Sequence, residues 1–380
     1  MPFQVLLGDN VLSIRLPAVF LGIFLVAAAM RWAKRSFSPF AGLAAGAFLA
    51  ISWWPIIFSR VGLRPIMEPL LLVFFALFWP RRPWLAGLFL GLSLYTYTGA
   101  RVIFLWPLLL ALYWLLMRKR IPSQHVTLFG RSLPQPFLSA LIVLGVAVVV
   151  YLPLALTLRA DPTLQQRVQQ LEGPLTSLAR GDLAPMAQTT LATLGVFSFT
   201  GDPRWTYMIP GRPLFDPFTA LIFYAGLLLA LWRFKRPSYA FLLSWLLVGL
   251  LPSAITPDAP STVRMVGAMP AVYTIAALPL AWLWERRGSA GAVPPWMRAA
   301  IPALIAGVLI LNLGLSLAYG FYQWPRALET RLKYQSLLVD LGGYVEANPG
   351  GSDVFADGFY RPITVDSLRR DMNSDLDGRW

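Results

Sequence analysis

The sequence contains no cysteine and a single histidine, His125, among its 380 residues. Without cysteine the chain forms neither disulfides nor thiolate metal sites. His125 follows the basic run "MRKR" at 117–120, and a lone histidine in such a loop is typically solvated. These absences exclude a zinc-centred mechanism and a catalytic triad that requires histidine.

Charged residues are also scarce: they make up 13% of the chain, against roughly 25% in soluble globular proteins, while 57% of residues are hydrophobic. Apolar runs long enough to cross a bilayer as helices recur along most of the length. The sequence therefore predicts an all-α, multi-pass membrane protein with about ten transmembrane helices. The predicted spans are 10–30, 39–57, 65–79, 84–99, 102–117, 136–157, 216–232, 238–255, 266–284 and 299–318.

The net charge of +14 lies in short loops between the apolar runs, which indicates membrane topology rather than a nucleic-acid partner. One set of alternate loops carries most of the cations. These are Arg31, Lys34, Arg35, Arg81, Arg82, Arg118, Lys119, Arg120, Arg131, Arg233, Lys235, Arg236, Arg286, Arg287 and Arg298. The opposite short loops carry only Arg60, Arg64, Arg101 and Arg264. The positive-inside rule places the first set in the cytoplasm.

This orientation places the start of the chain, the loop 158–215 and the tail 319–380 outside the cytoplasm. We expect a transmembrane domain over 1–318, surface helices within the long loop, and a small extracytoplasmic domain, or the beginning of one, in the tail. Residues 1–9 lack the features of a signal peptide and begin outside with no preceding span. Either a first helix is missing from the sequence, or the protein genuinely begins outside.

Two short motifs predict close helix packing rather than chemistry. "GLAAG" at 42–46 and "GLFLG" at 87–91 each place two glycines four residues apart. In membrane helices this spacing lets two backbones approach closely.

The four outer arginines are the informative residues because they depart from the charge rule. In "FSRVGLRPIMEPLLL", Arg60 and Arg64 lie just outside a span that begins near Pro65, and Glu68 lies about one turn inside it. An ionisable group within a span is a functional candidate with a nearby arginine as its partner. The alternative is an ion pair that only fixes helix ends.

A second cluster lies in "YTYTGAR", where Tyr95, Tyr97 and Arg101 follow one apolar run and precede another. "ITPDAPSTVR" repeats this arrangement with Asp258 and Arg264 between two spans. Tyrosines at a membrane edge often form only an aromatic belt. Several outer arginines that converge from different loops would instead form an anion site, and phosphate suits the bidentate guanidinium group.

In their order and spacing, "SRVGLRPIMEPLLL", "GLSLYTYTGARVIFLWPLLL", "GDPRWTYMIPGRPLFDPFTALIFYAGL" and "LLPSAITPDAPSTVRMVGAMPAVY" resemble bacterial glycosyltransferase family 39-type membrane proteins. These belong to the GT-C superfamily, with protein O-mannosyltransferases and aminoarabinose transferases. The resemblance covers about residues 8–320. It implies transfer of a sugar from a polyprenyl-phosphate donor to a protein or glycolipid acceptor at the outer face of the plasma (inner) membrane.

The resemblance also assigns roles to residues. Arg60, Arg64, Tyr95, Tyr97, Arg101, Asp258 and Arg264 are implied to bind the donor phosphate or sugar. Glu68 is implied to orient the site or to act through a metal, and a divalent cation is a possible cofactor. The family's catalytic acid follows its first helix, and Asp9 does not match that motif. The catalytic residue is therefore unassigned, and the sequence is compatible either with an active transferase or with a truncated relative that has lost activity.

Two other functions are compatible with such a chain. A transporter or flippase for an anionic lipid or glycolipid would carry its charges near the bilayer midplane, in broken helices and related halves. Here the charges cluster at the outer ends of the helices, which favours surface chemistry. The third candidate is a non-catalytic membrane assembly protein.

Overall fold

The computed structural model describes residues 2–8, 11–119, 125–128, 131–161, 173–288 and 294–334, together with 336, 340, 343–344 and 347. The longer helices are α2 (Val11–Ser36), α3 (Pro39–Ile51), α5 (Met67–Phe78), α6 (Pro83–Ser93), α7 (Leu105–Met117), α8 (Gln135–Ala160), α10 (Ala184–Gly195), α11 (Pro217–Trp232), α12 (Pro237–Ala254), α13 (Met269–Gly288) and α14 (Pro295–Leu317). The shorter helices are α1 (Pro2–Leu7), α4 (Trp53–Arg60), α9 (Gly173–Ala179), α15 (Trp324–Arg326) and α16 (Leu328–Lys333).

Tight helical turns extend four of these helices. Short 3-10 helices lead into α5, α7 and α13, and a π-helical turn continues α14; they are Arg64–Ile66, Thr98–Phe104, Val266–Ala268 and Ala318–Gln323. The two strands, β1 (His125–Leu128) and β2 (Arg131–Pro134), form an antiparallel hairpin between α7 and α8. This hairpin occupies a basic loop for which the sequence predicted no strand.

The predicted all-α membrane fold is confirmed, because each of the ten predicted spans coincides with a helical segment. Within the described residues, six helical segments are long and apolar enough to cross a bilayer. The pair α3 and α4 forms a seventh if a 55° bend is allowed, and α6 and α11 are shorter apolar helices. The predicted spans that are shorter than a bilayer-crossing helix therefore correspond to helices that end early, at junctions rich in polar residues.

The core of the bundle is built around α13. In that helix and its 3-10 extension 83% of the most apolar 18-residue stretch is buried, against 17% in α2 and in α8, which lie at the surface of the bundle. Beside α13, the rings of Trp32, Phe75, Trp106, Phe241 and Trp245 pack with centroids 4.7 to 6.3 Å apart. Such tilted aromatic contacts add to the packing enthalpy that membrane helices depend on.

Both predicted glycine motifs pack closely, as expected. A Cβ on Gly42 would lie 2.6 Å from the Met30 carbonyl oxygen of α2. A Cβ on Gly87 would lie 2.7 Å from the Val143 carbonyl oxygen of α8. Since the obstacles are backbone atoms, only glycine allows these two helix pairs to approach so closely.

Gly87→Ala is expected to lower the free energy of unfolding by about 1–3 kcal/mol, because the new methyl group forces α6 and α8 apart. The matched control is Gly145→Ala in α8, where a Cβ meets nothing within 4 Å. We expect the control to be neutral or slightly stabilising. Thermal unfolding of the purified protein in detergent measures both, and equal midpoints would contradict the packing assignment.

The long loop is partly helical, as predicted. Within it lie α9 and α10, while residues 162–172 lie outside the described residues. The following segment, 196–216, is held by residues beyond α14. The indole N–H of Trp324 donates to the Trp205 carbonyl at 2.7 Å, and the Tyr334 hydroxyl donates to the Thr206 carbonyl at 2.7 Å.

The two ends of the bundle differ in charge, in agreement with the predicted loop pattern. At one end Arg35 donates to the Leu77 carbonyl, the Tyr113 hydroxyl donates to the Lys235 carbonyl, and the Arg287 guanidinium lies over Trp284. This is the end of the basic loops. The opposite end carries the polar junctions that form the candidate site. Which end faces the cytoplasm, and the domain boundary near residue 318, stay predictions, and most of the tail after residue 334 lies outside the described residues.

Candidate functional site

Four junctions meet at the end of the bundle opposite the basic loops: 61–66, 94–104, 196–216 and 255–265. The 255–265 junction is anchored first. The Ser261 backbone N–H donates to the Ser253 hydroxyl at 2.9 Å, and that hydroxyl contacts the Thr193 hydroxyl at 3.0 Å. These buried bonds fix the junction between α12 and α13 against the long loop.

Asp202 is the buried centre of the polar network, with its side chain fully enclosed. One carboxylate oxygen accepts from the Arg204 backbone N–H at 3.1 Å and from Arg204 Nε at 2.8 Å. The other accepts from Arg204 Nη2 at 3.0 Å, from the Thr262 backbone N–H at 2.7 Å and from the Thr262 hydroxyl at 2.8 Å. Asp202 therefore ties the loop 196–216 to the α12–α13 junction.

Arg204 extends this network towards the surface of the cluster. Beyond Asp202, its Nη2 also donates to the Ser261 hydroxyl. The guanidinium carbon lies 5.4 Å from the centroid of the Tyr207 ring. Burial alone lowers the pKa of Arg204, but the hydrogen bonds and charge of Asp202 outweigh it, and the net pKa is raised. Arg204 is thus a fixed cation.

Arg264 is the second cation of the cluster and is buried, with 7% of its surface exposed. Its Nη1 donates to the Thr256 hydroxyl at 2.9 Å and to the Pro257 carbonyl, and its guanidinium hydrogen-bonds the Tyr97 side chain. Burial is the main cause that lowers its pKa, and the positive charge of Arg204 adds to that effect. Asp258, exposed on the same junction, acts in the opposite sense.

Glu68 lies beneath these residues, in the first turn of α5, with 1% of its surface exposed. Its Oε1 packs against Gly267, where a Cβ would lie 2.6 Å away. The Gly267 carbonyl in turn accepts from the Trp245 indole N–H at 2.9 Å. Among the described residues Oε2 has no hydrogen-bond partner. The carboxyl group is within electrostatic range of Tyr97, which links it to the arginines above.

Arg101 lies four residues after Tyr97, in the 3-10 helix that leads into α7. This helix packs against the end of α12, since a Cβ on Gly99 would lie 3.1 Å from the Pro252 side chain. The Arg101 side chain is half-buried, and its enclosed Nε finds no hydrogen-bond partner in the described part of the chain. Its donor capacity is therefore less committed than that of Arg204 or Arg264.

The remaining predicted site residues are placed apart from this cluster. Arg60 donates to the Gly320 carbonyl at 3.2 Å and lies over the Phe321 ring, next to the π-helical turn. The Tyr95 hydroxyl donates to the Val150 carbonyl of α8 at 2.8 Å. Arg64 is exposed at the start of the 3-10 helix before α5. The structure thus brings Tyr97, Asp258, Arg264 and Glu68 together, with Arg101 nearby in the chain.

Sequence reasoning missed Arg204 and Thr262 as members of the cluster. Asp202 and Asp216 each precede a proline in a turn-rich stretch, a context that predicts a turn or helix cap. Asp216 is such a cap, accepting from the Phe218 and Thr219 backbone N–H groups at 3.0 and 3.1 Å. Asp202 also accepts from the N–H two residues on, but its second oxygen reaches sixty residues along the chain. No local signal distinguishes the two.

The described residues contain no group of three or more histidine or acidic side chains that could hold a metal ion. What they do contain is two fixed guanidinium groups with a phenol between them and a buried carboxyl group beneath. Guanidinium groups in a partly buried site bind anions strongly, and phosphate most readily because two N–H groups match two oxygens. The cluster is therefore suited to an anionic ligand with hydroxyl groups.

No protein-family model and no curated protein sequence matches the chain. Solved structures do match its fold. The crystal structure of ArnT from Cupriavidus metallidurans bound to undecaprenyl phosphate matches with a TM-score of 0.53 and 13% sequence identity, covering 91% of this chain and 68% of ArnT. The apo oligosaccharyltransferase of Archaeoglobus fulgidus matches with a TM-score of 0.51 and 15% identity, covering 88% of this chain.

These similarities establish the fold and not the reaction. The chain shares the multi-pass helical membrane fold of these two solved structures, which agrees with the fold that the family resemblance implies. The chain spans 47% of the length of the archaeal oligosaccharyltransferase.

Proposed function

We propose that this protein transfers a sugar from a polyprenyl-phosphate-linked donor to a protein or glycolipid acceptor at the outer face of the plasma membrane. The observation that carries the proposal is the buried cluster of Arg204, Arg264 and Tyr97 at the polar end of the bundle. The fold supports it, because the ArnT structure that shares this fold was determined with undecaprenyl phosphate bound.

The cluster supplies positive charge where that reaction develops negative charge, on the leaving phosphate. When an acceptor hydroxyl attacks the anomeric carbon, the bond from that carbon to the phosphate oxygen breaks, the hydroxyl proton passes to solvent, and the lipid phosphate leaves with one more negative charge. Arg101 and Arg264 stabilise that charge, and Arg204 adds its field from behind. Since hydrogen bonds hold Arg204 and Arg264 before the substrate arrives, these two require little rearrangement in the transition state.

Three other residues take supporting roles in this proposal. Tyr97 and the exposed Asp258 offer polar groups to the hydroxyls of the donor sugar beside Arg264. Glu68 orients the site from beneath, through Tyr97 and the Gly267 backbone. Arg60, Arg64 and Tyr95 remain predicted contacts for the lipid carrier, further from the phosphate.

The test is release of undecaprenyl phosphate by the purified protein in nanodiscs. A panel of radiolabelled undecaprenyl-phosphate monosaccharides is incubated with a cell-envelope fraction as the source of acceptors. Transfer predicts that the label moves to an acceptor as undecaprenyl phosphate appears. A flippase would move the labelled lipid across the bilayer unaltered, and that result would replace this proposal.

Arg264→Ala is expected to weaken binding of undecaprenyl phosphate by about 10- to 100-fold, because a hydrogen bond to a charged group contributes roughly 1.5–3 kcal/mol. Native mass spectrometry of the protein with added undecaprenyl phosphate measures the change. The matched control is Thr256→Val, which removes a partner of Arg264 without removing its charge. Wild-type binding by Arg264→Ala would contradict the assignment.

A further inference from the structure

Two adjoining cavities lie between the loop 208–217 and the end of α14, in a region the sequence marked only as turn-rich. The larger is an open groove of about 510 Å³, within the range of small-ligand sites. Its polar lining comes from Arg212, Asp216, Tyr319 and Gln323, and its apolar wall includes Phe215 and Leu315. The smaller, of about 40 Å³, continues inward to Ser52 and Asn312.

Arg212 is the cation of this groove, and groups of the protein compensate its charge only partly. Its guanidinium lies over the ring of Tyr319 and hydrogen-bonds the Tyr319 side chain, yet its buried Nη1 has no hydrogen-bond partner among the described residues. Asp216 attracts it by charge, but both carboxylate oxygens of Asp216 already accept bonds from Phe218 and Thr219. The rest of the half-buried Arg212 side chain lines the groove, where a ligand can supply further acceptors.

This groove is distinct from the Arg204–Arg264 cluster, although both involve the same loop. The Gly201 backbone N–H donates to the Gly211 carbonyl at 3.1 Å, and a Cβ on Gly201 would collide with the Arg212 carbonyl. The Gly201–Gly211 hydrogen bond closes the base of this loop. On one side of it Asp202 accepts a hydrogen bond from Thr262, and on the other the Arg212 guanidinium lies over the Tyr319 ring. The loop therefore separates two cationic sites.

The surroundings of the groove identify the kind of molecule that fits it. The neighbouring α11 exposes Phe218 and Leu221, and α14 exposes Leu317, all of them apolar. In a membrane protein such side chains face lipid. A molecule that reaches Arg212 beside these surfaces needs an anionic head and an apolar chain.

We infer that this groove binds the phosphate of an anionic membrane lipid, with Arg212 donating to the phosphate and the chain lying along Phe215 and Leu315. Gln323, exposed at the rim, offers a further amide donor. Because phosphate is the recognised chemistry, free inorganic phosphate is the other source that the experiment must separate. The inference does not depend on the proposed transferase activity.

The experiment is native mass spectrometry of the purified full chain with dioleoyl phosphatidic acid, and with dioleoyl phosphatidylcholine as the zwitterionic comparison. Arg212→Ala is expected to lower the affinity for one phosphatidic acid at least tenfold. The matched control is Arg326→Ala, since Arg326 also lies over a tyrosine ring, that of Tyr322, but outside the groove. Arg264→Ala leaves this lipid bound, which separates the site from the donor site.

A second variant covers the case in which Arg212→Ala does not fold. Leu315→Trp narrows the groove and keeps the cation, and we expect the same loss of phosphatidic acid. Wild-type binding by both folded variants overturns the inference. Equal affinity for inorganic phosphate and phosphatidic acid overturns the lipid assignment, because the chain then contributes nothing.

Discussion

Arg101→Ala is expected to abolish measurable binding of undecaprenyl phosphate while the fold stays intact. The expected loss of binding is larger than that for Arg264→Ala because the two arginines differ in how many hydrogen bonds they already make to the protein. Arg264 already donates to Thr256 and Pro257, whereas the Arg101 Nε has no partner in the described part of the chain. More of the hydrogen-bonding capacity of Arg101 is therefore available to a phosphate.

The measurement is native mass spectrometry with undecaprenyl phosphate, paired with thermal unfolding in detergent. Arg286→Ala is the matched control, since Arg286 lies over Trp282 at the end of the basic loops. We expect Arg286→Ala to bind the lipid normally and both variants to unfold at temperatures near that of the wild type. Retained binding by a folded Arg101→Ala protein would remove Arg101 from the donor site.

Asp202→Ala is expected to have the largest effect on stability, a loss of about 3–5 kcal/mol, as found when one partner of a buried charge pair is removed. The substitution leaves Arg204 without its carboxylate and the Thr262 backbone N–H without an acceptor. Because these bonds join the long loop to the α12–α13 junction, we also expect binding of undecaprenyl phosphate to fall.

Thermal unfolding with a matched exposed ion pair tests this expectation. Arg331 and Asp340 are 2.8 Å apart, but both are about half exposed. Breaking such a pair by Asp340→Ala is expected to cost about 0–1 kcal/mol. Asp202→Asn, which can still accept hydrogen bonds, is expected to fall between the two alanine variants. Equal unfolding midpoints for Asp202→Ala and Asp340→Ala would show that Asp202 has no structural role.

Most of the fold follows from the sequence because a membrane imposes few choices on the chain. A run of apolar residues must close its backbone hydrogen bonds internally, so each such run became a helix. The glycine pairs at 42–46 and 87–91 also predict their contacts, because small residues are what permit close packing. The hairpin of β1 and β2 was missed because its signal is short: His125–Leu128 alternates polar and apolar residues over only four positions, and Arg131–Pro134 does not alternate.

The site was less predictable because its members come from distant parts of the chain. Counting the charged residues of the outer loops selected Arg60, Arg64, Arg101 and Arg264 without distinguishing them. What each arginine contacts depends on its surroundings in the folded protein. Arg60 found a carbonyl at Gly320, some 260 residues away. Arg204 was missed because it lies inside the long loop 158–215, whereas the positive-inside rule concerns charges in the short loops next to predicted spans. Pairings across such separations depend on tertiary packing, which single-sequence patterns do not contain.

The contacts of Trp324 and Tyr334 bear on how this protein can diverge. Both side chains donate hydrogen bonds to main-chain carbonyls of the loop, those of residues 205 and 206, and not to its side chains. Every amino acid supplies such a carbonyl, so mutation at these two positions leaves the attachment intact. Substitutions at positions 205 and 206 can therefore alter the side chains beside Arg204 while the backbone of the loop stays anchored.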